Sequence, residues 1–197
     1  MKHLVVLTAG LSTPSTTRRV ADEIAGAVIA EVPALDVTTI ELKDFAHDLA
    51  DAMVAGVMSA QLADAIELVS RADGLVVVTP VFKASYSGLF KMFFDVLDSD
   101  ALRGTPTIIA ATAGSQRHTL VADHALRPLL SYMHAIVVPT SLFATAEDVG
   151  TGGATAFSGR VRQAAVELAS LLQRRGPRLS RSSGPISGAV RSVGSVR

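Results

Sequence analysis

Residues 79–95 read TPVFKASYSGLFKMFFD, and the fold follows from the way this stretch divides. Ahead of it, residues 74–78 are GLVVV, a short apolar run with three consecutive β-branched valines. Such a run suits a strand buried on both faces. Pro80 has no N–H for a ladder, so the strand is expected to end there. After the loop, Leu89, Phe90, Met92, Phe93, Val96 and Leu97 recur at helical spacing. The stretch is therefore strand, Pro-Ser-Gly loop and amphipathic helix. Its loop carries Phe82, Tyr86 and Lys83 among Ser85, Ser87 and Gly88. That set of groups suits a flat, partly polar ring held between an aromatic wall and backbone N–H groups. An ordinary connecting loop with surface aromatics has the same composition.

The rest of the chain repeats the pattern. Strands are expected at residues 2–8, 35–40, 105–112 and 135–143, the last interrupted by Pro139. Helices are expected at residues 15–31, 60–71, 89–97, 121–133 and 156–175, while residues 41–59 are ambiguous. Five strands alternating with helices predict an α/β protein with a parallel sheet covered on both faces. Right-handed crossovers favour a flavodoxin-like three-layer sandwich with five-stranded order 2-1-3-4-5. Ligands on such sheets sit outside the carboxyl ends of the strands.

Three loops at that end carry ligand-like chemistry. The loop after the first strand holds Ser12, Thr13, Ser15, Thr16 and Thr17 and opens a helix. Hydroxyls, free N–H groups and the helix dipole together form an anion site, and Arg18 and Arg19 add positive charge. The chain has neither G-x-G-x-x-G nor G-K-[ST] at this point, so dinucleotide and P-loop fingerprints are absent. A hydroxyl-lined loop with little glycine suits one terminal phosphate monoester, as in FMN. Simple helix capping is the competing explanation, although a cap needs one or two such residues. The loop after the fourth strand offers Thr112, Gly114 and Ser115, followed by Gln116, Arg117 and His118. Arg18, Arg19 and Arg117 are candidate contacts for a 2′-phosphate. The histidines show no metal-ligand spacing.

A length of 197 residues is one domain, with residues 1–175 as the folded body. There is no cysteine, which excludes disulfides and thiolate chemistry and fits a reducing cytoplasm. No signal peptide or membrane-spanning run is expected. The zero net charge conceals an asymmetry. Before Arg174 there are twelve basic and eighteen acidic residues, a net −6, and six arginines follow. An acidic body argues against nucleic acid as a partner. Residues 176–197 are rich in Ser, Gly and Arg and are expected to be a disordered basic tail.

LSTPSTTR, TPVFKASYSGLFKMFFD and TAGSQRHTLVADHALRPLL together resemble the NADPH-dependent FMN reductases. The likeness spans residues 4–172 and is greatest to the branch that supplies reduced flavin to monooxygenases, including the sulfonate-utilisation reductases. It implies FMN and NADPH or NADH as cofactors, and a homodimer or homotetramer serving a flavin-dependent monooxygenase. It further implies that Ser12, Ser15, Thr16 and Thr17 hold the FMN phosphate. Pro80, Val81, Phe82, Lys83, Ala84 and Ser85 would border the isoalloxazine, and Thr112, Gly114 and Ser115 would meet it from the next loop. Hydride transfer through a flavin needs no general acid in the reductive step, so no catalytic side chain is expected. A prosthetic-FMN quinone or azo reductase and a flavodoxin-like electron carrier are the alternatives.

Overall fold

A computed structural model describes residues 1–149 and 156–174, so the basic tail lies outside the described residues. The elements follow the expected alternation. Strand β1 (Lys2–Thr8) leads to α1 (Thr16–Glu31), and β2 (Leu35–Glu41) to α2 (Ala46–Ala55) and α3 (Ala60–Arg71). Then come β3 (Gly74–Phe82), β4 (Ser85–Tyr86), α4 (Gly88–Asp95) and β5 (Pro106–Ala113). Helix α5 (Arg127–Tyr132), β6 (Ile136–Val137), β7 (Leu142–Thr145) and α6 (Ala156–Arg174) complete the chain. The main ladder runs β2-β1-β3-β5-β6 and is parallel throughout. With β4 set aside, this is the expected 2-1-3-4-5 order.

Side-chain alternation along the strands builds the three layers. Leu4, Val6, Val76, Val78, Ile108 and Ala110 pack on the side covered by α1 and α6. Val5, Leu7, Leu75, Val77, Ile109 and Ala111 point to the other side, against Leu49, Leu62 and the α4 phenylalanines. All twelve strand residues are fully buried, as a doubly covered parallel sheet requires.

The sheet departs from five plain strands in two places. Pro80 does not end β3, which continues to Phe82. Pro80 still stands opposite Thr112, and beyond it β3 turns back on itself to form an antiparallel hairpin with β4. A hairpin partner replaces the ladder that proline weakens. The fifth strand is split. Between the Thr107↔Val137 and Ala110↔Leu142 pairs, β5 advances three residues and its neighbour five. The excess loops out around Pro139. Arg127 donates to the carbonyls of Val138 and Pro139 at 3.0 and 3.1 Å, and Glu167 accepts from Thr140 N–H at 2.9 Å. The polar groups released from the ladder are thereby satisfied.

The helix expected over 121–133 is a π turn (Ala122–Leu126) followed by α5. Pro128 cannot donate to the carbonyl of His124, and Arg127 N–H reaches Ala122 O, five residues back. The ambiguous segment after β2 is a 3₁₀ turn (Leu42–Phe45) and α2, closed by Gly56 at φ 69°. Among the described residues no single helix is long and apolar enough to cross a membrane.

Candidate active site

The loops after β1, β3 and β5 converge because their strands are neighbours in the sheet. Between them lies a cleft of about 340 Å³, within the usual size of a small-molecule site. Ser12, Thr16, Thr17, Pro80, Val81, Phe82, Thr112 and Gly114 line it, eight of the thirteen residues expected from the sequence.

The first loop is built around Ser15. Its Oγ accepts from Arg18 N–H at 3.1 Å, so Ser15 is the N-cap of α1 and sits beneath the cleft rather than in its lining. The cap consumes the third helical N–H. The N–H groups of Thr16 and Thr17 are left with no intrahelical acceptor, and no acidic residue stands in the first turn. Gly10 makes this arrangement possible. A Cβ there would run into Ser15 Oγ and come within 3.0 Å of Thr17 Cβ. Thr17 is buried and its Oγ1 lies 2.9 Å from Thr112 Oγ1, which joins the first loop to the end of β5. Free N–H groups at the start of a sixteen-residue helix, the hydroxyls of Ser12, Thr16 and Thr17 and no carboxylate in the lining form a donor set that fits a phosphate.

The second wall is the hairpin. Thr79 Oγ1 accepts from Ser87 N–H at 3.0 Å, and Ser87 Oγ accepts from Phe90 N–H at 3.2 Å, fixing the hairpin to the start of α4. Lys83 and Ala84 form its two-residue turn with φ of 50° and 65°. Positive φ at both centres matches the twist of the flanking strands but is costly for residues with a Cβ. Lys83 and Ala84 lie at the tip, Ser85 is paired with Phe82 in the hairpin, and Ser115 follows Gly114 on the exposed rim. These four and Ser15 are the expected residues that do not line the cleft.

The aromatic wall is smaller than the sequence suggests. Tyr86 turns away to pack on Phe90, with ring centroids 5.7 Å apart. Phe82 alone lines the cleft, with 45% of its surface exposed. Leu11, Ala113 and Ala146 complete the lining and were not expected. The first two lie in loops already singled out, but their side chains carry no hydrogen-bonding chemistry. Ala146 comes from the loop after β7, which has no local signature.

Two of the expected phosphate-reading arginines are occupied. Arg18 contacts Asp22 at 2.8 Å and Glu41 at 2.6 Å, and Lys43 holds Glu41 at 2.6 Å. Asp22 and then Glu41 raise Arg18 above the ordinary arginine range. Lys43 and Arg18 lower the Glu41 carboxyl. Arg19 reaches the carbonyl of Val149. Among the described residues no group of His, Asp or Glu could hold a metal ion.

Comparison with known proteins gives the family of the chain. The chain is 38% identical over 165 residues to the NADH-dependent FMN reductase SfnE of Pseudomonas putida, covering 83% of this chain and 88% of that protein. An oxidoreductase structure from Corynebacterium diphtheriae superposes with a TM-score of 0.85 at 57% identity, covering 89% of this chain and 99% of that one. The apo form of the NADH:FMN oxidoreductase EMOB gives a TM-score of 0.74 at 30% identity, covering 86% and 89%. The family described as NADPH-dependent FMN reductase matches residues 1–150, the span that contains every residue lining the cleft. The sheet order, the hydroxyl-capped helix and this match agree that the chain belongs to the NADPH-dependent FMN reductase family.

Proposed function

We propose that this chain transfers hydride from NAD(P)H to FMN and releases the reduced flavin to a partner monooxygenase. FMN supplies the redox chemistry when bound. The chain binds and orients. Thr16 and Thr17 N–H groups, with the hydroxyls of Ser12, Thr16 and Thr17, would hold the phosphate, and Thr112 braces Thr17. Pro80, Val81 and Phe82 would border the ring on one side, with Thr112 and Gly114 on the other. No general acid is needed for hydride transfer, and none is assigned.

The observation that favours flavin release is the single cleft aromatic. An aromatic stack adds about 1 kcal/mol beyond area burial, and withdrawal of Tyr86 leaves one such contact where the sequence suggested two. A flavin held by one ring and a phosphate cradle exchanges readily and leaves a face for the nicotinamide. After exhaustive dialysis, NADH or NADPH oxidation should therefore require added FMN. A flavin retained through dialysis, with full quinone reduction and no added FMN, would instead make this a prosthetic-flavin quinone reductase. The cysteine-free chain fits work in a reducing cytoplasm.

The chain is further proposed to self-associate. The apolar circumference of α4 would suggest a partner surface there, but Phe90, Phe93 and Phe94 are all buried within one chain. They fill the space between the sheet and α2. A run of exposed apolar residues lies instead at Met53, Val54, Val57 and Met58, with Val54 88% and Val57 61% exposed. Residues 52–63 contain no charge, so nothing repels the same patch on a second copy. Light scattering at micromolar concentration should give at least twice the chain mass, and a monomer mass rejects the assembly.

A further inference from the structure

We propose that Lys83 and Arg117 receive the pyrophosphate of the nicotinamide dinucleotide at the mouth of the cleft, a contact common to NADH and NADPH. The assignment rests on the flavin-reductase reading and adds to it the residues that recognise the second substrate.

It begins with charge. The body of the chain is acidic, and Glu147 and Asp148 follow the cleft residue Ala146 on the loop after β7, yet the loops after β1, β3 and β5 contain no Asp or Glu. They read AGLSTPSTT at 9–17, TPVFKASYS at 79–87 and TAGSQRHT at 112–119. Their permanent charges are Lys83 and Arg117, one on each loop flanking the cleft on the β3 and β5 side. A local positive field on an acidic body concentrates anions at that place, and low-dielectric walls sharpen it.

Partners then separate these two cations from the rest. Before residue 150, the other eight Lys and Arg side chains each hold a carboxylate or a backbone carbonyl. Lys2 donates to Leu172 O, Arg19 reaches Val149 O, and Arg18, Lys43, Arg71, Lys91, Arg103 and Arg127 are paired with acids. Lys83 and Arg117 have no such partner among the described residues and are exposed. They therefore meet an incoming anion without first breaking an ion pair. Arg18, a candidate from the sequence, would have to abandon both Asp22 and Glu41.

Position completes the argument. Pro80 and Thr112 stand opposite each other in the β3–β5 ladder and both line the cleft. Lys83 follows three residues after Pro80, and Arg117 five residues after Thr112, so the two cations extend from adjacent strand ends. The phosphate cradle at Thr16 and Thr17 lies on β1's loop, on the opposite side of β3 from β5. One anion site is thus built for the flavin phosphate and a separate one for a second phosphate-bearing ligand. The hairpin places Lys83 at its tip in a left-handed conformation that side chains rarely adopt, with φ 50°. Strain of this kind persists where the surrounding structure enforces it, and here the Thr79–Ser87 and Tyr86–Phe90 contacts do so.

The test is the double variant Lys83→Gln, Arg117→Gln, beside each single variant. Both side chains are exposed, so the variants should melt with the parent. For the double variant, KM for NADH and for NADPH should rise together by about tenfold at low salt, with kcat changed less than twofold. The salt dependence of KM should flatten, because screening acts on the removed charges. The dissociation constant for FMN should stay within twofold. NAD⁺ titrated by calorimetry into FMN-loaded protein should likewise bind about tenfold more weakly, with no turnover involved. A rise confined to NADPH would make the pair a 2′-phosphate reader and overturn the assignment. Weakened FMN binding with unchanged nucleotide KM, or no change in any quantity, would also overturn it. Parent protein that oxidises neither nucleotide would remove the reductase reading itself, while the calorimetry would still decide whether these cations bind NAD⁺.

Discussion

Ser15→Asp should weaken FMN binding by about a hundredfold while leaving the fold intact. Asp is as good an N-cap as Ser, so its carboxylate can accept from Arg18 N–H as the hydroxyl does. The negative charge even suits the helix dipole, and the melting temperature should hold or rise slightly. The same charge stands at the helix start where Thr16 and Thr17 N–H groups would meet a phosphate. Like charges in a partly desolvated site repel strongly, and about 2.7 kcal/mol corresponds to the expected hundredfold. Ser15→Asn caps equally well without the charge and should bind FMN within a few-fold of the parent. Titration that gives the Asp variant parent-like affinity would place the phosphate site elsewhere. The comparison separates cap from ligand, which a truncation to Ala would confuse.

Phe90→Ala should cost about 3–5 kcal/mol of stability, the range for a fully buried phenylalanine. Phe90 is the hinge between core and site. Its ring lies 4.7 Å from that of Phe94 in the core and 5.7 Å from Tyr86 in the hairpin. Removing it opens a cavity under β4 and frees Tyr86. At about 2–4 °C per kcal/mol for a domain of this size, the melting temperature should fall by roughly 10 °C. Phe90→Leu keeps most of the volume and should cost well under half as much. A loss below about 1 kcal/mol for the Ala variant would show that the hairpin does not depend on this contact.

The layered fold was legible because it rests on short-range patterns. The GLVVV run, the alternation in LDVTTI and the helical spacing of Leu62, Ile66 and Val69 each report local burial directly. The loops around the cleft were legible for the same reason, since a topological rule places β1, β3 and β5 side by side. The order of the sheet, the helix opening at Thr16 and eight of the cleft residues follow from these.

What sequence could not decide was direction and competition among side chains. Tyr86 and Phe82 look alike in a loop, yet β4 pairing sends one ring to Phe90 and the other to the cleft. Phe90, Phe93 and Phe94 face different ways around α4, and the sheet together with the 3₁₀ turn and α2 packed against the helix buries all three. Arg18 and Arg117 are equally cationic in the sequence. Arg18 is drawn to Glu41, twenty-three residues away at the end of β2, and Arg117 has no such partner among the described residues. Local periodicity carries one residue's average environment. Which of several chemically equal side chains meets the ligand depends on distant partners, and the tertiary fold alone brings those within reach.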